Sequence, residues 1–546
     1  MGAFTGISVQ LLESLTLGRL FATLFLLTLG SFVVDIITKP RYPKSIPHAG
    51  NGDGLVGKVK NGLGYITQYN DWAAEGYEKY AKKGRSYVIP AAPSRPSDIV
   101  IPRSQTAWLL ELPDHLVSTK EAHRDMLHND HQFFRLDDQF PIRTVHKHLT
   151  RHLAGFIPGV ELEIRHAIDA VFGLETENWK SINLWEAWLG IVPQVTNRVL
   201  IGTPTCRDRE FLDGQIGFAD AIVTNSFILN MFPSVLHPIV ARLVSITNWR
   251  HWRKAHKVIK PVIEKCLHDM ARKEAGDPAY DSFVPEESLI TWLIRQAMAE
   301  GLSEELTPER ISKRLLPVEF AAIHTTVLTG HTLMLDLLTS DPKLNCLDAI
   351  REETTTVFRE EGESHWTKQS LSKLHRTDSA IKESMRISTF ATGLTRRKVV
   401  AKEGVTNEQE GWHAPYGSFL MLNMAGTHHD ADLYENPNTY DAFRFSRQRE
   451  EYEARAEDVE DPEADLKAKR LGMVTTSDSY LSFSHGRHAC PGRFFVAHEL
   501  KMILAYLTQN YEIKHIAERP QPMWIGQTIV PPLDVRIEIK RRKGTV

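Results

Sequence analysis

Cysteine is scarce in this chain. There are four cysteines in 546 residues, and they lie far apart as Cys206, Cys266, Cys346 and Cys490. So low a count excludes a disulfide scaffold, and the lack of a CxxC pair excludes a cysteine-rich zinc module. An excess of charge is lacking too, because 65 Lys and Arg against 68 Asp and Glu leave a formal charge of −3. A nearly neutral chain argues against nucleic-acid binding as its main function, so we expect no nucleic-acid partner.

Long uncharged runs are rare, and the clearest one lies at the N-terminus. Residues 20–34 read LFATLFLLTLGSFVV, and the wider apolar segment 15–37 is 23 residues long. About 20 apolar residues cross a bilayer. A basic, proline-rich linker follows at 39–47, and such a flank keeps the domain after it in the cytosol. We therefore predict an uncleaved membrane anchor at 1–38 that spans at about 15–37. A cleaved signal peptide and a buried core helix are the alternatives.

The rest of the chain, residues 48–546, has no internal repeat and no long linker. Amphipathic helical patterns dominate it, with strand candidates at 397–402 and 418–424. The charged stretch 447–470 is predicted to be a solvated surface segment. Helices, then short strands, then a last long helix at 492–509 predict one large, mainly helical α+β domain with small β-sheets.

Cys490 has neighbours that the other three cysteines lack. It stands in the sequence FSHGRHACPGR. Pro491 suits the first position of a helix, which would place Cys490 at the helix cap. Free backbone N–H groups and the positive end of the helix dipole favour a thiolate there.

The same segment is suited to a flat, acidic ligand. Gly486 and Gly492 remove side chains where such a ligand approaches the backbone, and Phe483 supplies an aromatic wall. Arg487 and His488 offer positive partners for carboxylates. Together these features predict a single axial thiolate beneath a planar ring that carries propionates, which is haem ligated by cysteine.

The segment resembles the haem-binding loop of the cytochrome P450 superfamily, F-x-x-G-x-R/H-x-C-x-G. The resemblance implies a cytochrome P450-type haem-thiolate catalytic domain over residues 48–546, with haem b as its cofactor. In it Cys490 would be the axial ligand of the iron, and His488 would contact a propionate. The Trp that relatives place in an early helix for this purpose is absent, so Arg396 and Arg397 become candidates for the propionate contact.

Two further segments follow in the order that the family uses. Glu383 and Arg386 are three residues apart, so they lie on one helix face and can pair. The sequence YDAFRF at 440–445 is similar to the family's F-x-P-x-R-F section and contains Arg444. The resemblance implies a buried triad of Glu383, Arg386 and Arg444 behind the haem loop, which is a structural lock and not a catalyst.

The stretch EFAAIHTT at 319–326 resembles the oxygen-activating helix of the family, A/G-G-x-D/E-T. By that alignment Thr325 handles oxygen and protons, and small Ala321 and Ala322 let ligands approach the helix. His324 replaces the acid of the family. Histidine titrates near pH 6.5 when unperturbed, so His324 either carries protons itself or only packs. This variant resembles filamentous-fungal ent-kaurene oxidase-like monooxygenases.

The resemblance implies a monooxygenase that inserts one oxygen atom from O2 into a bulky apolar substrate, such as a terpenoid or related fungal secondary metabolite. Electrons are expected from NADPH through a separate reductase, and the expected location is the endoplasmic reticulum membrane. There the chain would pass the membrane once, contact its lipid and keep the catalytic domain in the cytosol. A haem-thiolate isomerase or dehydratase that does not use O2 is the alternative, and a non-enzymatic haem-binding protein is a remote one. Relatives suggest these residues for the substrate pocket: Ala321, Ala322, Phe390, Thr392, Leu394 and Thr528.

Overall fold

Helices make up most of the chain in the computed structural model, which describes residues 17–132, 139–362, 365–458 and 462–544. The helices lie at Leu17–Thr38 (α1), Leu55–Lys79 (α2), Thr106–Glu111 (α3), Thr119–Met126 (α4), Gln139–Phe172 (α5), Leu184–Leu200 (α6), Arg209–Met231 (α7), His237–Glu274 (α8), Leu289–Glu300 (α9), Pro308–Leu338 (α10), Cys346–Glu361 (α11), Lys368–Ser372 (α12), His375–Ile387 (α13), Met424–His428 (α14), Arg444–Asp458 (α15), Pro462–Arg470 (α16) and Arg493–Asn510 (α17).

The strands are short and form small sheets. They lie at Tyr87–Ile89 (β1), Asp98–Ile101 (β2), Val117–Ser118 (β3), Lys180–Asn183 (β4), Gly393–Val399 (β5), Val405–Asn407 (β6), Trp412–Ala414 (β7), Phe419–Asn423 (β8), Tyr511–Ile513 (β9), Met523–Ile525 (β10), Thr528–Val530 (β11) and Arg536–Arg541 (β12). The largest sheet has the order β1-β2-β8-β5-β3, in which β2 and β8 are parallel. The other sheets are β4-β12-β9 and the hairpins β10-β11 and β6-β7. The prediction of a mainly helical domain with small sheets is confirmed.

Helix α10 is the centre of the helical part, because α5 to α9 and α13 all pack against it. It begins at Pro308, and the Thr307 hydroxyl caps it by accepting from the backbone N–H of Arg310 at 3.2 Å. Gly330 permits the closest of these contacts. A Cβ at that position would lie 2.3 Å from the indole of Trp188 on α6, so a side chain here would push the two helices apart.

The predicted anchor coincides with α1, and residues 1–16 lie outside the described chain. Among the described helices, none is long and apolar enough to cross a membrane, so the predicted transmembrane span is not confirmed. The last turn of α1 is attached to the body of the protein. Asp35 is buried there, and its carboxylate accepts a hydrogen bond from the backbone N–H of Ser234 at 3.0 Å. The end of the apolar segment therefore docks on protein.

The charged stretch 447–470 forms most of α15 and all of α16, and residues 459–461 lie outside the described chain. Ala464 and Ala468 of α16 are buried, so this segment packs on the protein instead of being solvated throughout. Its acidic and basic residues give α15 and α16 polar outer faces, which is why the sequence pattern predicts only a surface segment.

Candidate active site

The Cys490 loop is a tight turn that lies immediately before α17. The backbone N–H of Cys490 donates to the carbonyl of Phe483 at 2.9 Å, which closes the loop. Gly486, at the turn, has a φ of +75°, which favours glycine, and a Cβ there would lie 3.2 Å from Leu110. The sequence places Cys490 at the helix cap, and this prediction is wrong by two residues. Helix α17 begins at Arg493 with Gly492 as its N-cap, because the turn continues through residues 491 and 492.

The environment of the sulfur nevertheless has the expected character. The backbone N–H groups of Gly492 and Arg493 face the Cys490 sulfur and favour its thiolate form. Burial acts in the opposite direction and raises the pKa of the thiol. A half-buried sulfur that faces two backbone N–H groups is a suitable anionic ligand for a metal that neutralises it. Cys206 and Cys346, by contrast, are fully enclosed in the protein core.

Arg396 and Arg397 are adjacent on β5, but the structure assigns them different surroundings. The Arg396 guanidinium donates to the Asp98 carboxylate at 2.9 and 3.1 Å and to Gln527 at 2.8 Å. It is a member of a buried ion pair, so the prediction that it contacts a propionate is not supported by its position. The Arg397 guanidinium is buried as well, but its one hydrogen bond within the described chain goes to the carbonyl of Arg396, at 3.2 Å.

The Arg397 side chain faces a group of basic residues beside the Cys490 loop. Burial and, to a smaller extent, the guanidinium of Arg487 lower the pKa of Arg397 to about 10, although the Asp114 carboxylate acts in the opposite direction. Burial also lowers the pKa of His123 on α4 to about 4, with Arg397 and His488 close enough to contribute. The Nε2 atom of His488 lies 3.1 Å from the Asp114 carboxylate, and Arg487 donates to the same carboxylate at 2.9 Å. This basic group lacks acidic partners for all its members, so it is suited to an anion.

The structure brings Glu383, Arg386 and Arg444 together in the protein interior. Arg386 donates to both oxygens of the Glu383 carboxylate at 2.7 and 2.8 Å, and Arg444 donates to one of them at 3.0 Å. Arg386 also donates to the carbonyl of Pro437 at 2.8 Å, and Arg444 to that of Glu435 at 2.6 Å. The three side chains therefore connect α13 to the segment that precedes α15. This arrangement holds chain segments together and offers no surface to a substrate.

One face of α10 remains accessible in the middle of the protein. Ala321 and Thr325 are exposed although their helix is the centre of the helical part, whereas Ile323 and Thr326 are buried. The Thr325 hydroxyl donates to the carbonyl of Ala321 at 2.6 Å. Such bonds to the preceding turn compete with the helical hydrogen bonds and loosen the helix. The accessible face thus carries a hydroxyl next to a small side chain, and Ala322 is half-buried beside them.

His324 turns away from that face towards α7. Its Nε2 lies 2.8 Å from a carboxylate oxygen of Asp220, and its Nδ1 is buried without a hydrogen-bond partner in the described part of the chain. The sequence left open whether His324 carries protons or only packs. The contact with Asp220 shows that the imidazole is one half of a hydrogen-bonded acid–base pair.

The residues suggested for the substrate pocket are only partly together. Phe390 lies beside Thr329 and Thr332 of α10, one turn or more beyond Thr325. Thr392 lines a neighbouring cavity of ≈ 680 Å³ between α2, α10 and the β10-β11 hairpin. Thr528 is exposed and forms an isolated bridge with Ala391. The side chain of Leu394 lies outside the described residues.

Comparison with known proteins identifies this arrangement. Residues 113–538 match the model of the Cytochrome P450 family. The chain belongs to the cytochrome P450 family. It is similar to the cytochrome P450 monooxygenase gloP of Glarea lozoyensis, with 30% identity over 538 residues, 96% of each chain. It is also similar to the cytochrome P450 monooxygenase astC of Aspergillus terreus, with 30% identity over 92% of this chain and 93% of that relative. A third relative is the cytochrome P450 monooxygenase okaG of Penicillium ochrochloron, with 32% identity over 83% and 85% of the two chains.

This P450 is therefore a haem-thiolate monooxygenase, and its own residues fit the cofactor. Cys490 offers a sulfur with two amide donors, and Arg397 offers a buried guanidinium without a carboxylate partner within ion-pair distance in the described chain. His488 and His123 complete the polar lining of this site, and their imidazole N–H groups are suited to donate hydrogen bonds to the propionates, although burial lowers both pKa values. Haem bound through a thiolate supplies the activation of O2, since the sulfur pushes electron density that favours O–O cleavage.

Three residues of the P450 site have no motif in the sequence. His123 and Asp114 reach the basic group from α4 and from the loop before β3, and Asp220 reaches His324 from α7. Each lies more than 100 positions along the chain from the motif that it contacts; Asp220, for example, lies 104 positions from His324. Only packing of distant segments could reveal them.

Proposed function

We propose that this P450 inserts one oxygen atom from O2 into a bulky apolar substrate, a terpenoid or related fungal secondary metabolite. The observation that carries the proposal is the accessible face of α10, where the Thr325 hydroxyl stands next to the methyl side chain of Ala321. A hydroxyl at this place serves proton delivery, which an isomerase or dehydratase that does not use O2 does not need. It therefore favours oxygenation over that alternative.

The size of a cavity one turn or more beyond Thr325 supports a bulky substrate. Leu328 and Thr332 of α10 line it, whereas Ala321 and Thr325 do not. Its volume of ≈ 680 Å³ lies in the range of about 300–1,000 Å³ that drug-sized ligands occupy. Apolar side chains from different elements contribute to its wall, among them Leu328 of α10, Trp524 of β10 and Ile529 of β11. Such a wall stabilises an apolar ligand by removing its surface from water, at roughly 25 cal/mol per Å².

The residues of the site have separable tasks in this proposal. Cys490, Arg397 and His488 hold the cofactor through sulfur and charge. The Thr325 hydroxyl donates a hydrogen bond to the Ala321 carbonyl. The lone pairs of its Oγ1 remain free to accept a hydrogen bond from a water molecule and so to order it. Oxygenation balances as R–H, O2, two electrons and two protons giving R–OH and water. The protein must therefore deliver two protons to the site in each turnover.

We further propose that a separate NADPH-dependent reductase supplies the electrons, and that the enzyme resides on the endoplasmic reticulum membrane with its catalytic domain in the cytosol. Exposed apolar side chains on the N-terminal helix and on two further segments support this location. They lie on α1, on α2 and around the start of α8: Phe25, Leu26, Leu27, Leu29, Val33, Leu55, Val56, Val59, Leu63, Val235, Ile239 and Leu243. Exposed apolar clusters of this kind are typical of lipid or protein contacts.

Flotation with vesicles of phosphatidylcholine and phosphatidylserine tests the location. The full chain should float with the vesicles, and a chain without residues 1–38 should bind them much more weakly while it keeps its haem. Full binding by the shortened chain would show that the N-terminal segment is not the anchor.

Substrate binding and the fate of O2 test the function itself. A panel of ent-kaurene, ergosterol and an indole diterpene should include a compound that shifts the Soret band of the ferric protein on titration. With reductase, NADPH and ¹⁸O2, the product of that compound should gain one labelled oxygen atom. A product that forms equally well without O2 would contradict the proposal and favour the isomerase.

A further inference from the structure

Helices α7 and α10 meet along an apolar seam with polar residues beside it. Phe218 and Ile222 of α7 pack with Leu316 of α10 in one buried cluster. Gln215 lies near the buried Glu319, whose carboxyl oxygens have no hydrogen-bond partner in the described chain. Asp220 forms the polar pair of this interface, with His324.

The Asp220–His324 pair lies between solvent and the buried side of the His324 ring. The Asp220 side chain is 64% exposed and the His324 side chain is 19% exposed, with 2.8 Å between Oδ1 and Nε2. The Nδ1 atom on the other side of the ring is buried and has no partner among the described residues. His324 directly precedes Thr325 in α10. A group with a carboxylate at one nitrogen and an uncommitted second nitrogen is arranged as a proton shuttle.

We propose that Asp220 supplies from α7 the carboxylate that α10 lacks at position 324, and that it acts as a positioning residue which holds His324 and feeds protons to it. This inference rests on the monooxygenase activity. Asp220 takes a proton from solvent and passes it to Nε2, and the imidazole releases its Nδ1 proton on the buried side of the ring, at the residue before Thr325. No electron moves in these steps. The ring ends as its Nε2–H tautomer and returns to the Nδ1–H tautomer by proton exchange with water before the next transfer.

Two basic groups of α8 lie near Asp220. The ring of His251 packs over Gly217, where a Cβ would lie 2.3 Å from it. Burial lowers the pKa of His251, while the nearby Asp220 carboxylate raises it, but the two side chains form no ion pair within the described chain. Lys254 of α8 pairs with Asp213 at 3.3 Å instead. Within the described chain, His324 is the ion-pair partner of Asp220. Asp213 is thus a matched control, since it is exposed on α7 and paired, but with α8 and not with α10.

The test uses O2 reduction without an added substrate, so that it does not depend on the proposed substrate class. NADPH and reductase then convert O2 either to hydrogen peroxide, with two electrons and two protons, or to water, with four of each. Proton delivery favours water. We expect D220N to raise the peroxide formed per NADPH at least threefold, and D220E to restore the original ratio. D213N should leave the ratio unchanged.

Two further measurements separate proton transfer from mere packing. The solvent isotope effect on NADPH consumption should increase in D220N and not in D213N. Denaturant unfolding of the haem-loaded D220N, H324Q and double variants measures their free energies of unfolding. The change in the double variant should differ from the sum of the two single changes, which reports the Asp220–His324 contact independently of turnover. Carbon monoxide trapping should show the same rate of first reduction in every variant.

The proposal is overturned if D220N and D213N give the same peroxide ratio and the same isotope effect. If the unfolding free energies are non-additive but the peroxide formed per NADPH is the same in D220N and D213N, the pair only holds the two helices together. Additive unfolding would show that the pair does not form in solution, and it would overturn the proposal as well. None of these results depends on whether ent-kaurene or another panel compound is a substrate.

Discussion

Arg396 and Arg397 are neighbours on one strand, but their guanidinium groups have different partners. Arg396 is bound by Asp98 at 2.9 Å, whereas Arg397 faces the basic group beside the Cys490 loop and has no such partner in the described chain. The pairing of β5 with β8 is irregular between Leu394 and Arg397, so a simple alternation of side chains does not tell which of the two faces the site. The partner Asp98 lies on β2, in the same sheet.

Arg397→Gln should weaken haem binding without unfolding the protein. The guanidinium would form a charge-assisted hydrogen bond to a propionate, and such bonds contribute roughly 1.5–3 kcal/mol, or roughly 10- to 100-fold in affinity. Haem-to-protein ratio and haem transfer to apomyoglobin measure the effect. The matched variant Arg396→Gln should instead lower the free energy of unfolding, by at most roughly 3–5 kcal/mol, because it leaves buried Asp98 only the Arg95 guanidinium, 3.9 Å away. Equal haem loss in both variants would contradict this division of roles.

Cys490→Ala should abolish thiolate ligation. The reduced protein with carbon monoxide should lose the red-shifted Soret band, because no other described cysteine has a sulfur next to the same loop. Cys266→Ala, a half-buried cysteine on α8, is the control and should keep the band. A red-shifted band that persists in Cys490→Ala would assign the ligand to another residue.

Thr325→Ala should separate electron consumption from product formation. Loss of a positioned proton donor costs typically 10²–10⁴-fold in the step that it serves, so product should fall by roughly 100-fold while peroxide rises. Thr326→Ala is a close control. The Thr326 hydroxyl forms the same kind of bond, to the Ala322 carbonyl at 2.8 Å, but it is buried on the other face of α10. If both variants lose product equally, the effect belongs to the helix and not to the accessible hydroxyl.

Glu383→Gln should destabilise the protein strongly. The substitution leaves the buried guanidiniums of Arg386 and Arg444 without their anion, and loss of one member of a buried ion pair costs roughly 3–5 kcal/mol. Glu121→Gln on α4 is matched, because Glu121 and Arg124 have the same spacing but are partly exposed, 3.5 Å apart. It should cost less than about 1 kcal/mol. Denaturant unfolding of the haem-loaded proteins measures both, and similar losses would refute the structural role of the triad.

The buried Glu319 on α10 should make the protein less stable as the pH rises. Burial raises the pKa of Glu319 from 4.5 to about 8, and the Gln215 amide offsets this only in part. Between those pH values the folded state keeps a proton that the unfolded state has lost, so stability falls from about pH 4.5 to about pH 8 and then levels off. Glu499 behaves alike, with a pKa raised to about 8 by burial.

Glu319→Gln should therefore be more stable than the original protein at pH 9 and about equal to it at pH 4.5. The rise in the Glu319 pKa from 4.5 to about 8 corresponds to a loss of at most roughly 5 kcal/mol in the free energy of unfolding. Denaturant unfolding at pH 4.5, 6, 7.5 and 9 measures the difference in unfolding free energy between the variant and the original protein. Glu499→Gln allows the same comparison at a site on α17. A stability difference that does not change with pH would show that Glu319 ionises normally in the folded protein.

Motifs that are local in the chain were predictable. The pattern around Cys490, the i, i+3 pair Glu383–Arg386 and the long helix that carries Thr325 depend on spacing of a few residues, and helix and strand bounds differ from expectation by one to four residues. The helix start after Cys490 was misplaced, because proline at 491 fits a helix start and a turn equally well. The transmembrane prediction rested on hydropathy and on the basic flank, and neither could foresee that Asp35 docks on Ser234.

The sequence by itself determined the family, the thiolate ligand and the helical character of the domain, because these depend on short segments whose chemistry does not need the rest of the chain. Only the tertiary structure decided which of Arg396 and Arg397 is available to the cofactor, and that His324 pairs with Asp220. Both outcomes depend on contacts between residues far apart in the chain: Asp98 lies 298 positions from Arg396, and Asp220 lies 104 from His324. A charged side chain in the interior takes the partner that packing brings to it, and no local pattern specifies that partner.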